Sequence, residues 1–362
     1  MTPQPPPRPV KGRGAPLNRE SARFNLPRRE ADGDWLDQRE AVDDGLPPLR
    51  TTVTIEHPRS IISQNRSPDL PFDQSINAYR GCEHGCIYCY ARPTHAWLDL
   101  SPGLDFESRL FAKPDAAKLL RATLRKPGYV PKVIALGTNT DPYQPIEADY
   151  RITRSILEVC LEARNPVAIT TKSDRVLRDI DLLVEMARHD LVAIALSVTT
   201  LDGAMARTLE PRAAAPRKRL AALRALHHAG VPVHINVSPV IPAITDHEVE
   251  ALVAAGAEAG ARSASFIPIR LPHEVAPLFR AWLDAHFPDR AAKVMAIVQQ
   301  MRGGRDNDPN FGSRMRGSGP WADLMRTRFR IAVRRARLNE HKWVLDTSRF
   351  RAPADGMQGE LF

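Results

Sequence analysis

The chain has 362 residues, 43% of them hydrophobic, and a formal net charge of +9, which together indicate a globular protein large enough to bury a sizeable core. Its longest apolar runs are of strand length, and its basic first residues lack the apolar stretch of a secretory signal. We therefore expect no membrane span and place the protein in the cytoplasm. Clustered thiols in that compartment are metal ligands or redox groups rather than disulfides.

The first 50 residues contain nine prolines and an almost balanced charge, with nine Lys/Arg against eight Asp/Glu. A segment of this composition buries too little apolar surface to offset the entropy lost when it becomes ordered. We therefore expect residues 1–50 to be a disordered, Pro/Arg-rich segment.

Strand-like and helix-like stretches alternate through the next part of the chain, a core domain for which we predict the bounds 51–300. A short strand is predicted within residues 51–60, and the first buried strand near Ser75–Tyr79. Five more buried strands are predicted, at residues 132–138, 167–173, 191–200, 231–241 and 263–269. This pattern predicts an α/β fold with a parallel sheet, a partial (β/α)6 barrel of the TIM type. A six-stranded doubly wound sheet has the same periodicity and stays open as an alternative.

The helices predicted between these strands each show one apolar face. In residues 150–165, this face is formed by Ile152, Ile156, Leu157, Cys160 and Leu161. We therefore expect the thiol of Cys160 to lie in the core rather than to bind a metal.

The other three cysteines lie in the stretch NAYRGCEHGCIYCYARPTH (77–95), which follows the first buried strand. They are Cys82, Cys86 and Cys89. Functional groups of a parallel barrel lie on the loops that follow the strands, so this is a catalytic position. Zinc would need a fourth ligand here, His84 or His95. An iron–sulfur cluster held by three thiolates would instead keep one iron open for a substrate or cofactor.

The excess of positive charge lies near the C-terminus. Residues 301–351, predicted as a basic C-terminal extension, hold thirteen Lys/Arg against five Asp/Glu, and residues 352–362 form a predicted flexible tail. The arginines are interleaved with aromatic residues: Phe311, Trp321, Phe329 and Trp343. This mixture suits a phosphate backbone with bases available for stacking, so we expect a DNA or RNA partner. A basic helix that caps the domain is the alternative interpretation.

The cysteine spacing, Cys82-x3-Cys86-x2-Cys89 with Tyr88 before the last thiol, resembles the signature of radical S-adenosylmethionine (SAM) enzymes. The resemblance implies a [4Fe–4S] cluster on these three thiolates, with SAM chelated at the open iron. Reductive cleavage of SAM would release methionine and a 5′-deoxyadenosyl radical that abstracts hydrogen from a substrate. It also implies an electron donor of the flavodoxin or ferredoxin type.

Four stretches resemble the spore photoproduct lyase branch of that superfamily, which includes DNA-repair-photolyase-like lyases. They are SINAYRGCEHGCIYCYARPTH, GTNTDPYQPIE, TTKS and VSPVIPAITD, and the resemblance runs from about residue 60 to residue 311. It implies that Thr140 and Asp141 hold the SAM amino group, that Lys172 pairs with the SAM carboxylate and that Ser197 faces the ribose.

The same resemblance places Asn236 near the adenosine, Tyr88 beside the adenine through its backbone, and Tyr90 as a relay for a hydrogen atom. Other interpretations stay open for several of these residues. Asp141 is also typical of a turn, Asn236 of a polar residue that closes a strand, and Tyr90 of simple packing. Glu210 and Arg212 either join the site or form an ion pair across a loop.

One departure from the branch concerns the substrate. A cysteine after the second strand donates a hydrogen atom in spore photoproduct lyase, but Gly137–Asp141 contains no cysteine here. Repair of the thymine spore lesion by that route is therefore not expected. We predict an enzyme that acts on nucleic acid, with two alternatives: a radical SAM enzyme that modifies a protein or small molecule, and a zinc-stabilised nucleic-acid-binding protein without catalysis.

The last residues, MQGELF, resemble the peptide by which bacterial DNA-repair and replication proteins bind the sliding clamp. A glutamine and two apolar side chains on a flexible tail would enter a preformed groove. The sequence therefore predicts a sliding-clamp contact through Gln358, Leu361 and Phe362.

Overall fold

The structure is a computed structural model that describes residues 10–19, 21, 23, 49–341 and 344–354. Trp343 and the predicted clamp-binding residues Gln358, Leu361 and Phe362 lie outside the described residues. Within them, no helix is both long enough and apolar enough to cross a membrane.

Ten strands form two sheets in this part of the chain. They are β1 (Thr52–Ile55), β2 (Ile62–Gln64), β3 (Gln74–Ile76), β4 (Tyr79–Arg80), β5 (Arg109–Ala112), β6 (Ile134–Leu136), β7 (Val167–Thr171), β8 (Val192–Ser197), β9 (Val233–Val240) and β10 (Ser263–Pro268). The main sheet has the order β10-β9-β8-β7-β6-β3-β2, and a smaller sheet has the order β1-β5-β4.

Twelve α-helices lie among the described residues. They are α1 (Asp105–Ser108), α2 (Ala116–Leu124), α3 (Glu147–Tyr150), α4 (Ile152–Ala163), α5 (Ile180–Ala187), α6 (Gly203–Leu209), α7 (Pro216–His228), α8 (Val249–Glu258), α9 (Val275–His286), α10 (Pro288–Met301), α11 (Ser313–Arg316) and α12 (Pro320–Arg335). Short 3₁₀ helices span Arg92–Leu98, Asp174–Asp179 and Asp246–Glu248.

Six strands of the main sheet are parallel and follow one another in chain order: β3, β6, β7, β8, β9 and β10. Strand β2 pairs antiparallel with β3 at the edge. A doubly wound sheet would reverse its strand order at a switch point, and this sheet does not. The predicted α/β fold with a six-stranded partial barrel is therefore confirmed, and each parallel strand lies within or overlaps its predicted stretch.

The two edges of the main sheet are brought together. Asp69 lies in the loop between β2 and β3, and Arg314 lies in α11, which packs against β10 at the other edge. The carboxylate of Asp69 accepts two hydrogen bonds from the Arg314 guanidinium, at 2.6 and 2.7 Å. This pair joins the edges of a curved, open barrel.

Buried and half-buried residues alternate along the central strands. In β7, Val167 and Ile169 are buried whereas Ala168 and Thr170 are half-buried. The buried set packs against the surrounding helices in one hydrophobic core. Cys160 of α4 belongs to this core and is fully buried, which confirms its prediction. The other face of each strand lines the interior of the barrel.

Residues 10–19, which we call the N-terminal strap, lie within the segment expected to be disordered. Its residues 13–16 are nevertheless buried. The backbone amides of Gly14 and Ala15 donate hydrogen bonds to the carboxylate of Glu107, at 2.9 and 2.8 Å. The composition of the segment could not reveal these contacts, because their acceptor lies more than 90 residues away.

The basic C-terminal stretch contributes a helix to the core. In α12, Met325 and Phe329 are buried, and the Phe329 ring lies 4.7 Å from that of Phe266 in β10. Arg328 forms an ion pair with Glu250 of α8. The outer face of α12 keeps exposed arginines: Arg330, Arg334 and Arg335.

Candidate active site

The three cysteines lie on a loop that follows β4, which we call the cysteine loop (residues 81–91). Its backbone is fixed by hydrogen bonds from Cys82 N to Phe106 O at 2.9 Å and from Ile87 N to Leu209 O at 3.1 Å. Gly81 and Gly85 adopt φ angles of 73° and 68°, a conformation that favours glycine. The loop therefore has a defined shape that presents all three thiols on one short segment.

The thiols of Cys82 and Cys86 are buried, and Cys89 is half-buried. Burial raises the pKa of Cys82, and burial raises that of Cys86 to about 12 although Lys172 opposes the rise. Metal ligands must be deprotonated, so a bound cation would have to offset this cost. These thiols are thus sheltered from solvent and lie beside a lysine.

The candidate donor set is three thiols on one short loop, the kind of ligand that an iron–sulfur cluster uses. Across the described residues, no group of three His, Cys, Asp or Glu side chains is arranged to hold a single metal ion. Each histidine considered as a zinc ligand has one ring nitrogen with a partner: His84 Nδ1 lies 3.3 Å from Asp141, and His95 Nε2 lies 2.9 Å from Arg109 O. The other ring nitrogen of His95, Nδ1, is buried without a hydrogen-bond partner.

Asp141 joins two loops of the site. Its carboxylate accepts hydrogen bonds from Thr171 Oγ1 and from the backbone amide of Lys172, both at 2.7 Å, and from Tyr143 N at 2.9 Å. Burial would raise its pKa, but His84 and these hydrogen bonds lower it to about 2. Asp141 is therefore an ionised residue that fixes the end of β7 against the cysteine loop. Thr140, beside it, is buried and donates to Tyr79 O at 3.3 Å.

Lys172 lies between the cysteine loop and a buried ionic network. Its ammonium is 5.8 Å from the centre of the Tyr88 ring. Burial lowers its pKa, but Cys86 and Glu210 outweigh burial and raise it above its ordinary value. The predicted cation therefore stays charged next to the thiol of Cys86.

The network below Lys172 is centred on Glu210. This carboxylate pairs with Arg219, accepts the Tyr88 hydroxyl, and accepts Thr199 Oγ1 at 2.8 Å. Arg219 in turn donates to Ser197 O at 2.9 Å, so the network links the cysteine loop to the end of β8. Glu210 therefore joins the site environment, whereas Arg212 forms an ion pair with Glu83 across the loop at 3.1 Å.

Ser197 and Asn236 lie on neighbouring strands and contact each other. Asn236 Nδ2 donates to Ser197 Oγ at 3.3 Å, and Asn236 Oδ1 accepts from Ser238 and Ser265 at 2.8 and 3.1 Å. These groups form a polar layer across β8, β9 and β10 in the interior of the barrel.

Tyr90 lies at the open end of the cysteine loop. Its ring is 52% exposed, and its hydroxyl donates to the carbonyl of Thr138 in the loop after β6. This hydrogen bond places the Tyr90 hydroxyl beside the loop at the carboxyl end of β6.

Three positioning residues escaped the sequence analysis. Gln144 accepts from Glu83 N at 2.9 Å and donates to Gly81 O at 3.2 Å, which clamps the start of the cysteine loop. Arg92 is fully buried, donates to Cys86 O at 2.9 Å and forms an ion pair with Glu107. Gln144 lies within the quoted stretch GTNTDPYQPIE, which could have indicated it. No pattern in the sequence indicates that Arg92 pairs with Glu107.

A cavity of about 470 Å³ lies elsewhere, at the amino ends of β8, β9 and β10. His227, His234, Arg262 and Arg337 are among its lining residues. The cysteine loop follows the opposite, carboxyl end of the barrel strands, so this cavity is separate from the site described above.

A sequence model of the Radical SAM superfamily matches residues 76–255. An uncharacterized protein of Mycobacterium tuberculosis is 36% identical over 233 residues, which cover 64% of this chain and 68% of that protein. An uncharacterized protein of Methanocaldococcus jannaschii is 32% identical over 173 residues, 48% of this chain and 62% of that protein.

Solved structures of spore photoproduct lyase share the fold. The lyase complexed with dinucleoside spore photoproduct has a TM-score of 0.52 and 15% identity, covering 78% of this chain and 79% of that one. A mutant with the same ligand has a TM-score of 0.54 and 14% identity, covering 87% and 86%. The superfamily model matches the sequence that contains the cysteine loop, and the chain belongs to the radical SAM superfamily.

Proposed function

We propose that this radical SAM enzyme binds a [4Fe–4S] cluster through Cys82, Cys86 and Cys89, cleaves SAM reductively and acts on nucleic acid. The observation that carries the proposal is the placement of three thiols on one rigid loop, with the charged Lys172 beside Cys86. When bound, the cluster and SAM would supply a 5′-deoxyadenosyl radical for hydrogen abstraction.

In this proposal the side chains around the loop bind SAM. The ammonium of Lys172 pairs with the SAM carboxylate, since this lysine keeps its charge within the barrel. The hydroxyl of Thr140 donates to Tyr79 O and so has lone pairs left to accept from the SAM ammonium. Asp141 would accept from the SAM ammonium and would also position Lys172, because its carboxylate accepts hydrogen bonds from Thr171 Oγ1 and from the backbone amide of Lys172.

The adenosine would lie along the polar layer of the barrel. Ser197 faces the ribose and Asn236 lies near the adenosine, where hydroxyl and amide groups suit sugar and base edges. Tyr88 contributes its backbone to the adenine, since its hydroxyl is committed to Glu210 and Thr199.

Tyr90 is the residue to which we assign a catalytic role. Its side chain is half exposed, and its hydroxyl lies beside the loop at the carboxyl end of β6. A phenol can donate a hydrogen atom to a product radical, and an electron from the flavodoxin- or ferredoxin-type donor, together with a proton, would return the resulting tyrosyl radical to the phenol. This assignment accommodates the missing cysteine in Gly137–Asp141, because another side chain at the same opening would supply the hydrogen. The reaction would then resemble that of a lyase without repeating the route of spore photoproduct lyase.

The nucleic-acid substrate is supported by charge and by the fold relatives. The exposed arginines of α12 form a positive outer face. Spore photoproduct lyase has been solved with AdoMet and dinucleoside spore photoproduct bound. We favour a DNA-repair-like reaction over a protein or small-molecule substrate, because neither alternative accounts for that face.

The proposed cleavage of SAM is tested by replacing one predicted cluster ligand and, separately, the cysteine in the hydrophobic core. We expect Cys86→Ala to abolish formation of 5′-deoxyadenosine after anaerobic reconstitution and reduction with SAM, because a methyl group cannot ligate iron. The matched control is Cys160→Ala, which removes a core thiol, and it should retain both cluster and product. Equal product from C86A and wild type, or zinc in place of iron in the wild-type protein, would refute the proposal.

Two partners stay predictions from the sequence alone. One is the electron donor of the flavodoxin or ferredoxin type. The other is the sliding clamp, since Gln358, Leu361 and Phe362 lie outside the described residues.

A further inference from the structure

We propose that Arg270 binds a phosphodiester group of the substrate beside Tyr90. The inference rests on the proposed function, since it names the substrate group recognised at that same site. It adds a binding residue at the barrel mouth to which the sequence assigned no role.

Arg270 lies at the end of the barrel where the candidate site is. It follows the last residues of β10, and the preceding Ile269 still donates a backbone hydrogen bond to Val240 O at 3.0 Å. The carboxyl ends of parallel strands meet at one rim, so Arg270 shares this rim with Lys172 and the cysteine loop.

The guanidinium of Arg270 lacks an anionic partner within the described residues. Its one side-chain contact there is a weak hydrogen bond to Met315 Sδ at 3.3 Å. Its Nε is buried without any partner. Burial and the neighbouring Arg314 lower the pKa of Arg270, although Asp69 and Asp308 oppose the fall without forming an ion pair with it. A bound anion would satisfy both the charge and the open donors.

The neighbouring arginines have most of their donors occupied. Arg314 has Asp69 as its partner. Arg302 shares the buried, unpartnered Nε, but both of its terminal nitrogens donate to backbone carbonyls, including Ile269 O at 2.8 Å and Arg314 O at 2.7 Å. These two arginines serve structure, because their donors hold the strand end and the segment after it together. Arg270 is the arginine of the three whose donors stay available.

Its place on this rim indicates which anion it would bind. The Tyr90 hydroxyl donates to Thr138 O in the loop after β6, and Arg270 follows the end of β10, so an anion on Arg270 would lie at the same opening as the phenol to which we assign hydrogen transfer. A planar guanidinium matches two oxygens of a phosphate and forms charge-assisted hydrogen bonds with them. In a nucleic-acid substrate, a phosphodiester is the anionic group next to every nucleoside, so it suits this place.

The test compares two ligands that differ by one negative charge. Anaerobic holoenzyme with SAM is titrated with DNA dinucleotides joined by a phosphodiester, and with the same dinucleotides joined by a neutral methylphosphonate. We expect wild type to prefer the charged form on the order of tenfold, as one charge-assisted contact would give. Arg270→Gln should lose this preference and Arg270→Lys should keep part of it. The control Arg224→Gln, which removes an exposed charge from α7, should keep it fully.

Three outcomes would overturn the proposal. Wild type could bind both dinucleotides equally or not at all. R270Q could keep the preference for the charged form. R270Q could instead raise the KM for SAM, which would assign the guanidinium to the cofactor carboxylate. Failure of the proposed function is a separate result, because 5′-deoxyadenosine formation is measured without a dinucleotide.

Discussion

Glu210 shows how a single buried carboxylate supports the site without touching a predicted ligand of the cluster. It pairs with Arg219, both side chains being 1% exposed, and it accepts the hydroxyls of Tyr88 and Thr199. Burial would raise its pKa, but Arg219 and Lys172 lower it to about 2. The negative charge therefore persists in the core and orients the residues beside Cys86.

Replacement of this carboxylate should destabilise the protein strongly. In Glu210→Gln the cation of Arg219 stays buried without its partner, and such a change costs about 3–5 kcal/mol. Urea unfolding measures the loss, with Glu185→Gln as control, because that carboxylate belongs to an exposed pair and should change stability by less than about 0.5 kcal/mol. Similar unfolding midpoints for both variants would contradict this prediction.

The same substitution has a defined pH dependence. The folded-state pKa of Glu210 lies below its ordinary value of 4.5, so the ionised carboxylate stabilises the fold fully above that pH. Its contribution is lost as the pH falls through the folded-state pKa of about 2, below which the carboxyl is protonated in both the folded and the unfolded state. The stability difference between wild type and E210Q should therefore narrow in acid, whereas a constant difference would exclude this role for the charge.

At the scale of elements, the N-terminal strap and the cysteine loop depend on each other. The strap lies against the backbone of the cysteine loop. A Cβ added to Gly14 would lie 1.7 Å from Gly85 O, and neither backbone segment could move aside easily. Glu107 receives the strap amides and also the buried Arg92, which holds the carbonyl of Cys86. Displacement of the strap should thus reach the cluster ligands.

Gly14→Ala tests this dependence. The added methyl group should displace the strap at a cost of about 1–3 kcal/mol and lower the iron content after anaerobic reconstitution. The control is Gly203→Ala at the start of α6, where the nearest atom to the new Cβ is the flexible end of Arg207 at 3.8 Å. Full iron content in G14A would show that the strap does not order the cysteine loop.

The strands and the strap also mark what the sequence could and could not predict. Residues 167–173 and 191–200 were recognisable as strands because their apolar residues are contiguous and flanked by helices. Lys172 and Ser197, at the ends of those strands, were assigned to the site through the family resemblance. The strap and the Arg92–Glu107 pair could not, because remote polar contacts leave no local periodicity. Arg270, directly after the last strand, had the right position but no motif around it.

At the scale of the whole molecule, positive charge is concentrated on the outer face of α12. If this face binds phosphates, replacement of Arg330, Arg334 and Arg335 by Gln should reduce the slope of log affinity against log salt by about 2 for single-stranded DNA. The matched control replaces Arg217, Lys218 and Arg224 on α7. Equal slopes for both triple variants would show that α12 does not contact the nucleic acid.

The ion pair between Asp69 and Arg314 has a consequence for the limits of the catalytic unit. The two side chains are 245 residues apart in the chain, yet they meet across the gap between the first and last strands of the main sheet. The segment after α10 is therefore part of the barrel and not an appendage to it. A chain that ended at residue 300 would keep every predicted cluster ligand and lose the contact that joins the two edges of the sheet.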